Sequence, residues 1–270
     1  MSRAGDHIIE AKAISTGYGT QVIHEGLTFH VKRGEIFVIV GGSGCGKSTL
    51  LRHLCGLQPV LAGTIVIDGV PLDAEDDAVR AGMAQRMGVL FQSGALFGSL
   101  TLAENIELVL EEYTDLPPAA RDAVARTKLA MVGLSGYENY LPSQISGGMK
   151  KRAGLARAMA LDPPLLFFDE PSAGLDPVTS AELDHLIVQL NASLGTTMVV
   201  VTHELASIFT IAQRVIMLEK GVRGIVAEGT PRELQADTSR PSVHAFFNRE
   251  RRAVRGAASS AWERCGHRSQ

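Results

Sequence analysis

Five apolar residues, Ile36-Phe37-Val38-Ile39-Val40, run directly into Gly41-Gly42-Ser43-Gly44-Cys45-Gly46-Lys47-Ser48. An apolar run without polar alternation suits a strand buried on both faces, the kind found in parallel sheets. The segment that follows fits G-x-x-x-x-G-K-[ST], a loop whose glycines let backbone N–H groups converge on phosphate oxygens. Ser48 to Gly56 reads as a helix, and its N-terminus adds a dipole that favours anions. Strand, glycine loop and helix in this order restrict the chain to an α/β fold that holds a nucleotide phosphate. Lys47 is expected to reach the β- and γ-phosphates and Ser48 to hold Mg²⁺, with Thr49 continuing the helix start. Cys45, at a wildcard position, reads as a small residue in a tight turn. Gly41 to Thr49 are therefore the candidate phosphate contacts.

The rest of the chain alternates strands with helices. Short strands read at 8–14 and 22–31 around the turn Gly17-Tyr18-Gly19, and at 64–68 before the turn Asp68-Gly69. A polar helix is predicted over 74–85 and a strand over 88–91. Residues 101–160 are mostly helical in pattern, broken at Pro117-Pro118, Gly133 to Gly136, Pro142 and Gly147-Gly148. They read as a helical lobe, about 95–160, inserted into a sheet domain. Strands resume at 165–168 and 198–201 with a crossover helix at 179–192 between them, followed by strands at 214–218 and 224–228. This alternation predicts a mostly parallel sheet covered on both faces.

Composition removes several classes. Aromatic residues are 5% of the 270-residue chain and the net charge is −3, which disfavours stacking platforms and a DNA-binding surface, so no nucleic-acid partner is expected. The cysteines Cys45, Cys55 and Cys265 form no C-x-x-C pair, so a disulfide framework is not expected. No run of 18 apolar residues reads as a membrane-spanning helix, and Met1 to Glu10 lacks the apolar core of a signal peptide. The chain is expected to stay in the cytoplasm. Charge is uneven: residues 241–270 carry six arginines and two glutamates, while residues 1–240 carry 20 basic and 27 acidic residues. The reading is a domain over 1–240 and a basic extension over 241–270. In the extension Val243, Phe246 and Phe247 precede Arg249, Arg251, Arg252 and Arg255. A docking arm for a neighbouring subunit and a solvated tail are both open readings.

Asp169 follows the apolar strand Leu165-Leu166-Phe167-Phe168 directly. A carboxylate at the C-terminal edge of a parallel strand is placed where ligands bind, so Asp169 is the second candidate Mg²⁺ residue. Glu170 comes next, where the chain turns at Pro171, and is the candidate to polarise an attacking water.

These residues resemble those of the ATP-binding-cassette (ABC) ATPases. Ile145-Ser146-Gly147-Gly148-Met149 resembles the family's L-S-G-G-Q signature, with departures at Ile145 and Met149. Ser146, Gly147 and Gly148 open a helix and form a second phosphate cradle. Gln92 resembles the glutamine that senses metal and water, Ser172 to Asp176 the D-loop, His203 the switch histidine, and Tyr18 the aromatic that stacks on adenine. Glu228-Gly229-Thr230-Pro231 resembles the end of the domain. The resemblance covers about 8–235. It implies a P-loop NTPase fold of the ABC type, with an N-terminal antiparallel β subdomain and an inserted helical subdomain. It further implies ATP and Mg²⁺ as cofactors, with Gln92, Glu170 and His203 in catalysis and Ser48, Gln92 and Asp169 at the metal. In a head-to-tail dimer, each ATP would lie between this set and Ser146 to Gly148 of a second copy, with Asp176 close by.

In that family Ser93 to Leu102 helps form a groove for a membrane subunit. Phe91 to Phe97 and Ser146 to Arg152 are similar to the ATPases of the lipid-asymmetry transporter of Gram-negative bacteria and of its Mce-associated relatives. That resemblance implies phospholipid cargo, a multi-spanning permease, a periplasmic Mce-domain subunit and a small STAS-domain protein. It places the chain peripherally on the cytoplasmic face of the inner membrane. The alternative is a cassette serving a different solute.

Overall fold

The computed structural model describes residues 6–73 and 75–249. β1 (His7–Tyr18) and β2 (Gln21–Lys32) form an antiparallel hairpin that turns at Gly19-Thr20. After β3 (Ile36–Gly41) and α1 (Lys47–Leu54), β4 (Ala62–Ile67) returns to pair with β1. Asp68 and Gly69 both take positive φ, the requirement of the tight turn that leads into the two-residue β5 (Val70–Pro71). The four strands make a sheet of order β2-β1-β4-β5.

α2 (Asp77–Ala84) starts later than the expected residue 74 because Asp76 caps it, accepting from the amides of Ala78 and Val79. β6 (Met87–Leu90) leads out of the sheet into α3 (Leu102–Tyr113), α4 (Pro118–Met131), a single 3₁₀ turn and α5 (Gly147–Ala158). The chain then re-enters through β7 (Leu165–Asp169), α6 (Pro177–Leu194) and β8 (Thr197–Val201). α7 (Leu205–Ile211), β9 (Arg214–Leu218), β10 (Ile225–Gly229), α8 (Pro231–Ala236) and α9 (Pro241–Phe247) complete the described chain.

The second sheet has the order β10-β9-β3-β8-β7-β6 and is parallel except for β10. β3 sits in its interior, which explains the unbroken apolar run. Ile36, Val38 and Val40 face one layer, built with Leu166, Phe168, Val200 and helices α3 to α9. Phe37 and Ile39 face the other, with Phe167, Val199, Val201, α1 and the antiparallel sheet. Each such side chain contributes about 1.5–3 kcal/mol when fully buried.

Sequence patterning did not predict α7, α8 or α9, which are six or seven residues long. Fewer than two turns carry too little 3.6-residue periodicity to register. α9 also changes the reading of the C-terminal apolar residues. Val243 and Phe247, considered as anchors for a neighbouring subunit, are buried in this chain's own core, and Phe246 packs against it half-buried. Arg251, Arg252, Arg255 and Cys265 lie outside the described residues. No described helix is long and apolar enough to cross a membrane.

Between α6 and α7 lies a buried carboxylate, Asp184, whose Oδ1 has no hydrogen-bond partner. Burial pushes its pKa up. Ser207 of α7 is close enough to ease that shift, yet its own hydroxyl makes no hydrogen bond of proper geometry. A carboxyl raised in the folded state favours folding below its unfolded pKa and loses that contribution as pH rises through the folded value. Asp184→Asn, which has no charge to bury, is therefore expected to be the more stable chain at neutral pH. It should also flatten the decline in stability from acid to neutral pH, read by thermal unfolding over a pH series.

Candidate nucleotide site

Two glycines shape the loop between β3 and α1. Gly41 has φ 152°, and a Cβ there would lie 2.3 Å from the Leu218 carbonyl oxygen and 2.6 Å from Cys45 Sγ. Gly46 has φ 95° and forms the N-cap of α1; a Cβ there would meet His24 Cε1 at 2.5 Å. His24, fully buried in β2, supports the loop from beneath. Its Nε2 donates to the Cys45 carbonyl at 2.8 Å and its Nδ1 accepts from Thr16 Oγ1 at 2.8 Å. A carbonyl can only accept, so the ring proton sits on Nε2. Burial pushes the His24 pKa down, against the pull of the Cys45 carbonyl. Cys45 itself is buried and its thiol pKa is raised by that burial, in keeping with a packing residue of the turn.

Lys47, only 8% exposed, donates from Nζ to the carbonyls of Gly41 at 3.0 Å and Gly42 at 3.3 Å, and Glu170 Oε1 lies 3.9 Å away. Ser48 Oγ donates to Asp169 Oδ1 at 2.9 Å, which joins the start of α1 to the end of β7. The φ of Glu170 is 48°, a left-handed conformation that costs a non-glycine residue about 1–3 kcal/mol. The bond from its amide to the Val201 carbonyl, 2.8 Å, holds it there. The chain turns at Pro171, as the sequence predicts, with the Ala173 amide bonding the Glu170 carbonyl at 3.1 Å, and the left-handed Glu170 just before it has its carboxylate beside Lys47. His203 Nδ1 lies 2.9 Å from both Glu170 oxygens. An ionised carboxylate only accepts, so Nδ1 carries the proton and Nε2 is left for another group. Glu170 is 12% exposed and His203 58%, so this pair opens to solvent on the histidine side.

Tyr18 ends β1 near the same helix and is 41% exposed. Its hydroxyl is 3.1 Å from Thr49 Oγ1 and accepts from Arg52 Nη1 at 3.0 Å. Gln92 follows β6 with an exposed side chain, and its backbone carbonyl accepts from Lys151.

The structure thus gathers Lys47, Ser48, Asp169, Glu170 and His203 into one cluster. Ser146, Gly147 and Gly148 lie elsewhere, against the start of α6. Ser146 caps α5, accepting from the Met149 amide at 3.2 Å, and a Cβ on Gly148 would lie 2.4 Å from Thr179 Cγ2. Asp176 caps α6 through the amides of Val178 and Thr179 and accepts from Thr179 Oγ1 at 2.6 Å. Two residues that touch this machinery escaped the sequence reading, His24 and Lys151. Lys151 shares the buried face of α5 with Gly148, Gly154 and Leu155, so a basic residue at helical spacing among buried positions was the available signal.

The family described as ABC transporter matches residues 24–173, a span that holds the phosphate loop, Asp169 and Glu170. The chain belongs to the ABC transporter family. It is an ATP-binding, ATP-hydrolysing cassette of that family. The intermembrane phospholipid transport system ATP-binding protein MlaF of Escherichia coli K12 is 38% identical over 92% of this chain and 91% of its own length. The probable ribonucleotide transport ATP-binding protein mkl of Mycobacterium tuberculosis is 40% identical over 90% of this chain and 67% of its own length. Among solved structures, the ATP-binding cassette MJ0796, a dimer bound to ADP and phosphate after hydrolysis, superposes with a TM-score of 0.74. The match has 31% identity and covers 82% of this chain and 98% of that one. CbiO1 of Clostridium perfringens shares the fold at a TM-score of 0.76, 24% identity and coverage of 88% of this chain and 98% of that one.

Proposed function

We propose that this ABC ATPase drives phospholipid transport between the inner and outer membranes of a bacterium, through a separate multi-spanning permease. In this reading it sits peripherally on the cytoplasmic face of the inner membrane, with a periplasmic Mce-domain subunit and a small STAS-domain protein as further partners. The observation that carries the cargo assignment is the match to MlaF over nine-tenths of both chains. The mycobacterial relatives named for ribonucleotide transport support a second cargo, but the match spans only 67% of their length.

Two copies would work head to tail, with each ATP between Lys47, Ser48, Gln92, Asp169, Glu170 and His203 of one chain and Ser146 to Gly148 of the other. Tyr18 supplies the face for adenine. The phosphate oxygens offer Lys47 a charged alternative to the loop carbonyls it bonds now, and charge-assisted bonds are the stronger. Ser48 Oγ and Asp169 Oδ1, in direct contact, are both oxygen donors and fit Mg²⁺, a hard ion commonly bound by one or two carboxylates plus substrate phosphates. Bound there, the ion would neutralise charge on the phosphates. Glu170 accepts the proton of the attacking water, and His203 keeps its carboxylate aimed. His203 Nε2 faces the γ-phosphate. ATP then closes the dimer and its hydrolysis releases it, which is how chemical energy would reach the permease.

The test is purification of the tagged chain from its own membranes, with subunits and bound small molecules identified by mass spectrometry. A permease and an Mce-domain protein together with phospholipid is the expected outcome. A permease with ribonucleotide or another polar solute and no lipid would overturn the cargo assignment.

A further inference from the structure

Ser146 and Lys151 stand on the same helix, little more than one turn apart, yet they serve opposite directions. Ser146, Gly147 and Gly148 open α5 and are assigned above to the nucleotide of the second copy. Lys151 reaches into its own chain and is 5% exposed. Its Nζ bonds the Gln92 carbonyl and lies 3.5 Å from the Glu170 carbonyl. Asp169 and Glu170 supply the negative charge that faces this ammonium, while burial lowers the Lys151 pKa. A buried cation is retained only when it is both paired and hydrogen-bonded, and here its partners come from two different segments of the site.

We propose that Lys151 is a positioning residue that fixes the Gln92 segment and the Glu170 backbone to the helix opened by Ser146. The Glu170 backbone has the left-handed conformation on which the carboxylate's direction depends. Gln92 heads the segment that leads into α3. A shift of α5 that brings Ser146 to the partner's ATP therefore also sets Gln92 and Glu170 in this chain's own site. Through Lys151 each half of the dimer would register closure at one nucleotide as alignment at the other.

The inference rests on the roles given above to Glu170 and Ser146, and the test separates the two. ATP hydrolysis by the full-length chain in its membrane complex is compared for wild type, Lys151→Met, Lys151→Arg and Glu170→Gln, with ATP affinity and thermal midpoint measured alongside. Lys151→Met keeps the length of the side chain and removes charge and donors. Its kcat is expected to fall about tenfold to a hundredfold, the range for losing a hydrogen bond from a charged group, with KM for ATP within about twofold. Lys151→Arg, which keeps charge and donors, should recover most of the loss. Wild-type kcat in Lys151→Met overturns the proposal. So does a parallel loss of kcat, ATP affinity and thermal midpoint that arginine does not restore, because that is the mark of packing alone. If Lys151→Met does not fold, Lys151→Gln takes its place: reduced kcat at unchanged KM supports the proposal and wild-type kcat overturns it. A fully active Glu170→Gln would sink the site assignment; an inactive one beside a fully active Lys151→Met sinks only the link through Lys151.

Discussion

Glu170→Gln is expected to lower kcat for ATP hydrolysis by about 10²–10⁴, the usual contribution of a positioned acid–base group. ATP binding should remain, so that nucleotide-driven dimers accumulate. The substitution is nearly isosteric. An amide oxygen can still accept from His203 Nδ1, and the bond from the residue's amide to Val201 holds the φ of 48° in either case. What is lost is the ability to take a proton. The charge 3.9 Å from Lys47 goes as well, and its removal leaves the lysine freer to engage phosphate. Phosphate release at saturating ATP, with chromatographic sizing of the ATP-bound protein, checks both halves. Full turnover would falsify the assignment of this carboxylate.

Arg214→Leu should cost about 3–5 kcal/mol of stability, the range for breaking a buried ion pair on one side. For a chain of this size that corresponds to a fall in thermal midpoint on the order of 10 °C. Arg214 begins β9 and gathers groups from three other strands or their flanks. It holds Glu35 in two bonds of 2.7 and 2.8 Å, bonds Glu228 of β10, donates to the His30 carbonyl of β2 at 2.6 Å, and lies 4.7 Å from the Phe37 ring centroid. Burial alone would raise the Glu35 pKa. The bonds from Arg214 and the Lys32 amide hold it below the usual carboxylate range instead. A depressed carboxyl stabilises above its unfolded pKa and loses that contribution as pH falls through its folded value. The wild-type chain should therefore weaken in acid more steeply than Arg214→Leu. Denaturant titrations at neutral and acid pH read both effects, and an Arg214→Leu midpoint equal to wild type would remove Arg214 from the account of stability.

The phosphate loop, Asp169 and the two-sided sheet were legible because each is written in local chemistry: glycine spacing, an apolar run, a carboxylate at a strand end. Glu170 was legible as a residue before the turn at Pro171, but not as a left-handed one. Its left-handed backbone is set by the Val201 carbonyl, 31 residues away in the chain, and nothing in the local sequence marks it. His24 and Lys151 were missed for a related reason. Both act on backbone carbonyls, those of Cys45 and Gln92, and a carbonyl has no residue identity to be read. α9 was read only as an apolar cluster, because the choice between docking on a neighbour and folding back on its own core depends on a surface assembled from distant segments.

The helical lobe departs from β6, the outermost strand, and returns through β7 beside it. An addition hung on the rim can be lengthened, trimmed or re-tiled during evolution without breaking the register of the interior strands. Divergence toward new assemblies can therefore concentrate in α3 and α4, while β3 and its neighbours, with Ser146 to Gly148 and Lys151 on α5, keep the geometry of the site.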